Sequence, residues 1–89
     1  VDVAFMGTNG FSAEHGFSTP DPAEAAVKRA MIGAAREVYV LADATKFGAD
    51  YLVRFAELAE VDALVTDARL PRASIEALEA AELRVDVVG

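Results

Sequence analysis

The sequence has no cysteine, so disulfides, thiolate nucleophiles and thiolate metal sites are excluded. It has one histidine, His15, and no second histidine to share a metal ion with it. No apolar run approaches the ~20 residues that a membrane-spanning helix needs. The opening residues Val1 to Phe5 read as the start of a strand rather than as a charged-then-apolar leader. Positive charge is scarce and scattered over Lys28, Arg29, Arg36, Lys46, Arg54, Arg69, Arg72 and Arg84. Only Lys28 and Arg29 are adjacent, and the formal net charge is −7. Clustered Lys and Arg are what displace counterions from a phosphate backbone, so the sequence reads as one that does not itself bind nucleic acid. A single small anion is another matter, because a few local donors decide that. No Gly-rich P-loop, nucleophile elbow or HExxH motif is present.

The 89 residues are 54% apolar, enough for one modest domain core and too many for a disordered chain. Val1 to Met6 alternates apolar and polar or small residues, as a strand does, and Gly7-Thr8-Asn9-Gly10 ends it with residues that tolerate positive φ. Residues 11–20 read as a Gly/Ser/Thr/Pro-rich loop tucked down by Phe11 and Phe17. Asp21 as cap, Pro22 at the first helical position and Glu24 three residues after the cap predict a helix over 22–36. Its apolar stripe is Ala23, Ala26, Val27, Ala30, Met31 and Ala34. Val38 to Ala42 is continuously apolar, as a strand buried on both faces would be. Residues 43–48 read as a loop or a single helical turn, and Tyr51 to Phe55 as a short strand. A strand over 62–67, a helix over 71–82 with Ile75, Leu78 and Ala81 inward, and a strand over 83–88 complete the chain. Glu76, Glu79 and Glu82 form the solvated face of that helix. This alternation predicts an α/β fold with a parallel-rich sheet flanked by helices.

Ligands of open parallel sheets sit at the carboxyl ends of the strands. Three loops leave such ends with small or polar residues: Gly7 to Gly10, Asp43 to Lys46, and Thr66-Asp67. The first can expose backbone N–H groups to an anion, or be a plain tight turn. In the second, Lys46 can hold a phosphate as a point charge, with Asp43 binding a sugar hydroxyl or positioning Lys46. The alternative there is a surface ion pair. Glu24 and Lys28 stand i, i+4, which is a solvated helix pair unless that face looks into a pocket. His15 reads as a solvent-exposed loop residue, and Asp43 with Asp67 lack the third carboxylate that would complete a Mg²⁺ site.

Four stretches, read together, resemble the effector-binding domain of DeoR-type bacterial transcriptional regulators. They are Asp2 to Gly10 (DVAFMGTNG), Gly16 to Met31 (GFSTPDPAEAAVKRAM), Val40 to Gly48 (VLADATKFG) and Val61 to Asp67 (VDALVTD). They occur in the family's order and spacing, over nearly the whole chain. The resemblance implies a fold similar to ribose-5-phosphate isomerases and CoA transferases. It also implies a cytoplasmic repressor of sugar metabolism that a phosphorylated sugar, or a sugar-derived phosphate, switches off DNA. By the same resemblance Gly7, Asn9 and Gly10 lie on the ligand loop. Glu24 and Lys28 match a Glu-x-x-x-Lys pattern, and Asp43 and Lys46 match Asp-x-Ser-Lys, with Thr45 in place of Ser.

Residues 1–89 would then be the later part of the effector domain. The DNA-reading helix-turn-helix and the earlier phosphate-cradling loop lie outside them. A sheet divided in this way exposes an edge and an apolar face, so self-association is expected. No cofactor, metal, membrane or catalytic role is implied. Two competing readings are a sugar-phosphate isomerase fragment and an oligomerisation domain without ligand. The first would need a general base near the substrate, and the loop after the first strand carries Asn9 and no carboxylate.

Overall fold

The computed structural model describes residues 2–89; Val1, the start of the expected first strand, lies outside them. The chain forms β1 Val3–Gly7, β2 Gly10–Ser12, β3 Gly16–Thr19, α1 Pro22–Ala34, β4 Glu37–Leu41, β5 Val53–Ala56, β6 Ala63–Asp67, α2 Arg72–Ala80 and β7 Arg84–Val88. Short 3-10 turns occupy Ala44–Lys46 and Leu58–Glu60. The α/β expectation holds, but the strands divide between two sheets. One is fully parallel, in the order β1-β4-β6-β7. The other is antiparallel, β2-β3-β5. The short strand expected near 51–55 belongs to the second sheet.

Residues 11–20 are not a loop but most of a buried hairpin. Phe11 and Phe17 do tuck down: both are fully buried, with ring centroids 6.1 Å apart, and Phe17 continues to Phe55 at 6.3 Å. Side-chain hydrogen bonds let the polar strand residues be buried. Ser12 Oγ donates to Asp50 at 2.9 Å, and Ser18 Oγ accepts from the Tyr51 N–H at 2.9 Å. Gly16 sits at φ 71° beside the Ala56–Glu57 backbone, where a side chain has no room.

Helix α1 starts as expected: Asp21 accepts from the N–H groups of Ala23 and Glu24. Its orientation differs. The apolar stripe Ala23, Ala26, Val27, Ala30, Met31 and Ala34 is exposed, whereas Ala25 is buried and Lys28 and Ile32 are half-buried. The helix is turned by what its basic residues reach. The Lys28 ammonium lies 4.8 Å from the centre of the Phe55 ring. Arg29 donates to the Phe55 carbonyl at 2.9 Å and to Glu60 at 2.8 Å. Lysine and arginine stems thus cover apolar surface that the alanines were expected to cover.

Strand β4 is buried on one face only, not on both: Val38 and Val40 are buried, while Glu37 and Leu41 are exposed. The covered face of the parallel sheet carries Ala4, Met6, Val38, Val40, Leu64 and Thr66. Helix α2 closes it with buried Leu78 and half-buried Ile75, while Glu76 and Glu79 point to solvent as expected; the helix ends at Ala80 rather than at residue 82, so half-buried Ala81 caps it and exposed Glu82, at φ 68°, lies past it. The opposite face is open.

Candidate functional site at the carboxyl ends of the parallel strands

Parallel pairing of β1, β4, β6 and β7 brings all four carboxyl ends to one edge of the sheet. Gly7 pairs with Leu41, Leu41 with Val65, and Asp67 with Val88. The three loops singled out from the sequence therefore do meet, and specific bonds join them.

The first loop is held to the second by backbone. Phe11 O accepts from Gly48 N at 2.8 Å, and Phe11 bridges Phe47. Gly10 lies against Ala49 so closely that a Cβ there would stand 2.8 Å from the Ala49 carbonyl carbon and nearer still to its oxygen. That approach is why residue 10 is glycine; positive φ is not used at Gly7, Asn9 or Gly10. Thr8 Oγ1 closes the loop by donating to the carbonyls of Gly10 and Ser18, at 2.8 and 3.2 Å. Asn9 is exposed, and its side chain makes no hydrogen bond among the described residues.

Glu24 and Lys28 do look into this end. Lys28 Nζ donates to the Gly7 carbonyl at 2.8 Å and pairs with Glu24 at 3.3 Å, and its side chain is only 12% exposed. This lysine anchors α1 to the last residue of β1.

The second loop is a 3-10 turn. Asp43 caps it, accepting from the Thr45 N–H at 3.1 Å and from the Thr45 hydroxyl. The Thr45 hydroxyl, then its N–H and the charge of Lys46, keep the Asp43 carboxyl below its ordinary pKa. Asp43 thus makes no ion pair with Lys46 among the described residues. Lys46 bonds through its backbone, donating to the Asp43 carbonyl at 3.1 Å, but its ammonium has no partner among the described residues and is available.

Asp67 was read from the sequence as part of the third loop and, with Asp43, as an incomplete Mg²⁺ pair; the structure shows a different use. Its carboxylate accepts from the Ala44 N–H at 3.1 Å and from Arg69 Nη2, Nε and N–H at 2.9, 3.1 and 2.9 Å. The third loop thereby fixes the first residue of the turn that carries Lys46. The Arg69 side chain, then the Arg69 and Ala44 N–H groups, hold the Asp67 carboxyl far below the usual carboxylate range. Beside it lies a shallow groove of about 350 Å³ lined by Leu41, Ala42, Asp43, Val65, Thr66, Asp67 and Val88. Thr66 Oγ1 is the one buried side-chain polar atom without a hydrogen-bond partner among the described residues. His15 is solvent-exposed in the hairpin turn, as expected, and its Nδ1 lies 3.2 Å from Asp50, which ties that turn to the segment after Gly48.

Polar loops gather at the strand ends with a lysine available, the place where open parallel α/β sheets take small ligands. Comparison with known proteins makes the assignment specific. Residues 1–68 match the DeoR C terminal sensor domain, and the chain belongs to that family. It is 39% identical over 84 residues to the HTH-type transcriptional regulator GlpR of Haloferax volcanii, covering 94% of this chain and 33% of that protein. It is 46% identical over 67 residues to the HTH-type transcriptional regulator FruR of Bacillus subtilis, covering 75% and 27%. With the glycerol-3-phosphate regulon repressor of Escherichia coli it shares 31% over 78 residues, covering 88% and 31%. The chain spans about a third of the length of these relatives. No helix of the described residues is long and apolar enough to cross a membrane.

Proposed function

We propose that the chain binds a phosphorylated sugar, or a phosphate derived from one, at the carboxyl ends of β1, β4 and β6. It would serve as the ligand-sensing part of a DNA-binding repressor of sugar metabolism in the cytoplasm. The observation that carries this reading is the unengaged Lys46 ammonium, on a turn that the Asp43 cap and the Asp67–Ala44 bond fix, both carboxylates lining the groove. In a family of sensor domains, such a cation suits the phosphate of a small metabolite. Asn9 offers an exposed amide from the neighbouring loop. Gly7 and Gly10 shape the first loop. Glu24 and Lys28 hold it, and Asp43 positions Lys46 more directly than it binds ligand.

The reading includes no catalysis, no cofactor and no metal. DNA is read by another part of the protein, as the helix-turn-helix names of the relatives suggest. Copies of the chain associate, and ligand favours one arrangement of the assembly over another. A thermal-shift screen against pentose, hexose and glycerol phosphates tests the ligand. At 100 times its dissociation constant, a true ligand stabilises by about 2.7 kcal/mol, a shift of several degrees. The shift should disappear in Lys46→Ala. No shift with any phosphate would remove the sensor reading.

A further inference from the structure

A phosphate monoester carries a charge of about −1.5 to −2 at pH 7 and three strong acceptor oxygens. Lys46 answers with a single point charge. A second cation stands at the same edge of the sheet. Arg69 follows β6, which ends at Asp67. One carboxylate oxygen shows how near it lies to the turn that carries Lys46. Asp67 Oδ2 accepts from the Ala44 N–H at 3.1 Å and from Arg69 Nη2 at 2.9 Å, so a single atom joins the turn to the guanidinium. After the Thr45 hydroxyl and N–H, the charges of Lys46 and Arg69 are what lower the Asp43 carboxyl, so both cations are within electrostatic reach of the same side chain.

The Asp67–Arg69 pair is more than the carboxylate needs for itself. The N–H groups of Ala44 and Arg69 already engage both of its oxygens. The Arg69 side chain is 65% exposed, and an ion pair so open to solvent adds little to stability. What the pair does fix is direction. Nε and Nη2 lie on the two oxygens at 3.1 and 2.9 Å, a two-pronged grip that orients the planar fork. The other N–H donors of the fork have no partner among the described residues.

We propose that Arg69, oriented by Asp67, is a second anion-binding residue of this site, and that it closes with Lys46 on the same phosphate from adjoining loops. The inference rests on the ligand reading and adds what selects the ligand: a phosphate meets a fork and a point charge together, and an unphosphorylated sugar meets neither. Arg69 stands one residue past the stretch that matches the sensor family, so the family pattern does not assign it. Asp67 is then a positioning residue for both cations. Its bond to Ala44 sets the Lys46 turn, and its grip on Nε and Nη2 sets Arg69.

The test is a two-dimensional NMR titration that follows the arginine Nε–H groups together with the backbone amides. The probes are inorganic phosphate and the pentose, hexose and glycerol phosphates of the thermal-shift panel, with glycerol and the unphosphorylated sugars as controls. The Arg69 Nε–H signal is identified by its absence in Arg69→Lys. In the parent chain it should move over the same concentration range as the amides of Ala44 to Lys46, and the controls should move neither. Arg69→Gln should weaken phosphate binding about 10- to 100-fold, as loss of charge-assisted bonds does, and Arg69→Lys should weaken it less. Far-UV melting without ligand checks that both variants are folded, and the parent-chain signal decides the matter if either is not. An Arg69 signal that stays still while the amides of Ala44 to Lys46 move overturns the proposal and leaves the ligand reading standing. So do folded variants that bind phosphate as the parent does. If neither signal nor amides respond to any probe, the ligand reading falls and this proposal falls with it.

Discussion

Replacing Gly10 by alanine adds one methyl group to a place where backbone meets backbone. The new Cβ would stand 2.8 Å from the Ala49 carbonyl carbon, 3.0 Å from the Ala49 Cβ and closer still to the carbonyl oxygen. None of these atoms is the end of a flexible side chain, so relief requires the first and second loops to part. Overpacking of this kind costs about 1–3 kcal/mol. For a domain of this size each 1 kcal/mol moves the melting temperature by about 4–8 °C. A drop on the order of 10 °C is therefore expected for Gly10→Ala in a calorimetric or far-UV melt. The same chemical change at Gly33, in α1, has nothing within 4 Å of the new Cβ. There it should raise stability by about 0.5–1 kcal/mol, through the better helix propensity of alanine. Opposite signs for one substitution isolate steric approach from composition. Equal melting temperatures for Gly10→Ala and the parent would refute the loop contact, and with it the packing that joins the first loop of the site to the second.

Asp21→Ala removes the cap of α1 and should cost about 1 kcal/mol, read as a fall of several degrees in the same melt. Leu78→Ala empties the fully buried position of α2 and should cost about 2–5 kcal/mol, whereas Leu52→Ala, at a solvent-exposed position, should stay within about 0.5 kcal/mol. Asp67→Asn should be less stable than the parent at pH 7. Because the folded-state pKa of Asp67 lies below the unfolded one, its contribution is complete above the unfolded value and is lost as pH falls toward the folded value. The gap between Asp67→Asn and the parent should therefore narrow below about pH 4 in urea titrations, and a gap that stays constant down to pH 2 would argue against the assignment.

The legible parts of this fold were those written in neighbouring residues. Asp21-Pro22 marked a helix start, the apolar runs marked β4 and β6, and Phe11 and Phe17 announced a buried contact. What stayed hidden depends on partners far along the chain. The β2–β3 hairpin looks like loop because its strands contain Gly, Ser and Thr. The two serine hydroxyls are satisfied by Asp50 and by the Tyr51 N–H, more than thirty residues away. The face of α1 was misjudged because alanines and a valine score as core. Lys28 and Arg29 instead turn the helix by reaching Phe55, the Gly7 carbonyl and Glu60. The continuous apolar run of β4 suggested two covered faces, and only the fold shows that one stays open.

For the candidate site, strand-end position pointed to the three loops that the parallel sheet brings to one edge. The grip of Asp67 on Ala44, and the His15–Asp50 pair, had no local signal to find them by. An alternating polar residue two before an arginine is a common pattern, and only the packed structure shows which backbone N–H it meets.

The most direct measurement is an amide NMR titration of the chain with the sugar phosphate that gives the largest thermal shift. Perturbations should gather at Gly7 to Gly10, Ala44 to Gly48 and Thr66 to Asp67, include the Asn9 side-chain amide, and vanish in Lys46→Ala. Perturbations that gather instead around Arg29, Arg54 and Glu57, at the polar hollow beside β5, would contradict ligand binding at the carboxyl ends of the parallel strands.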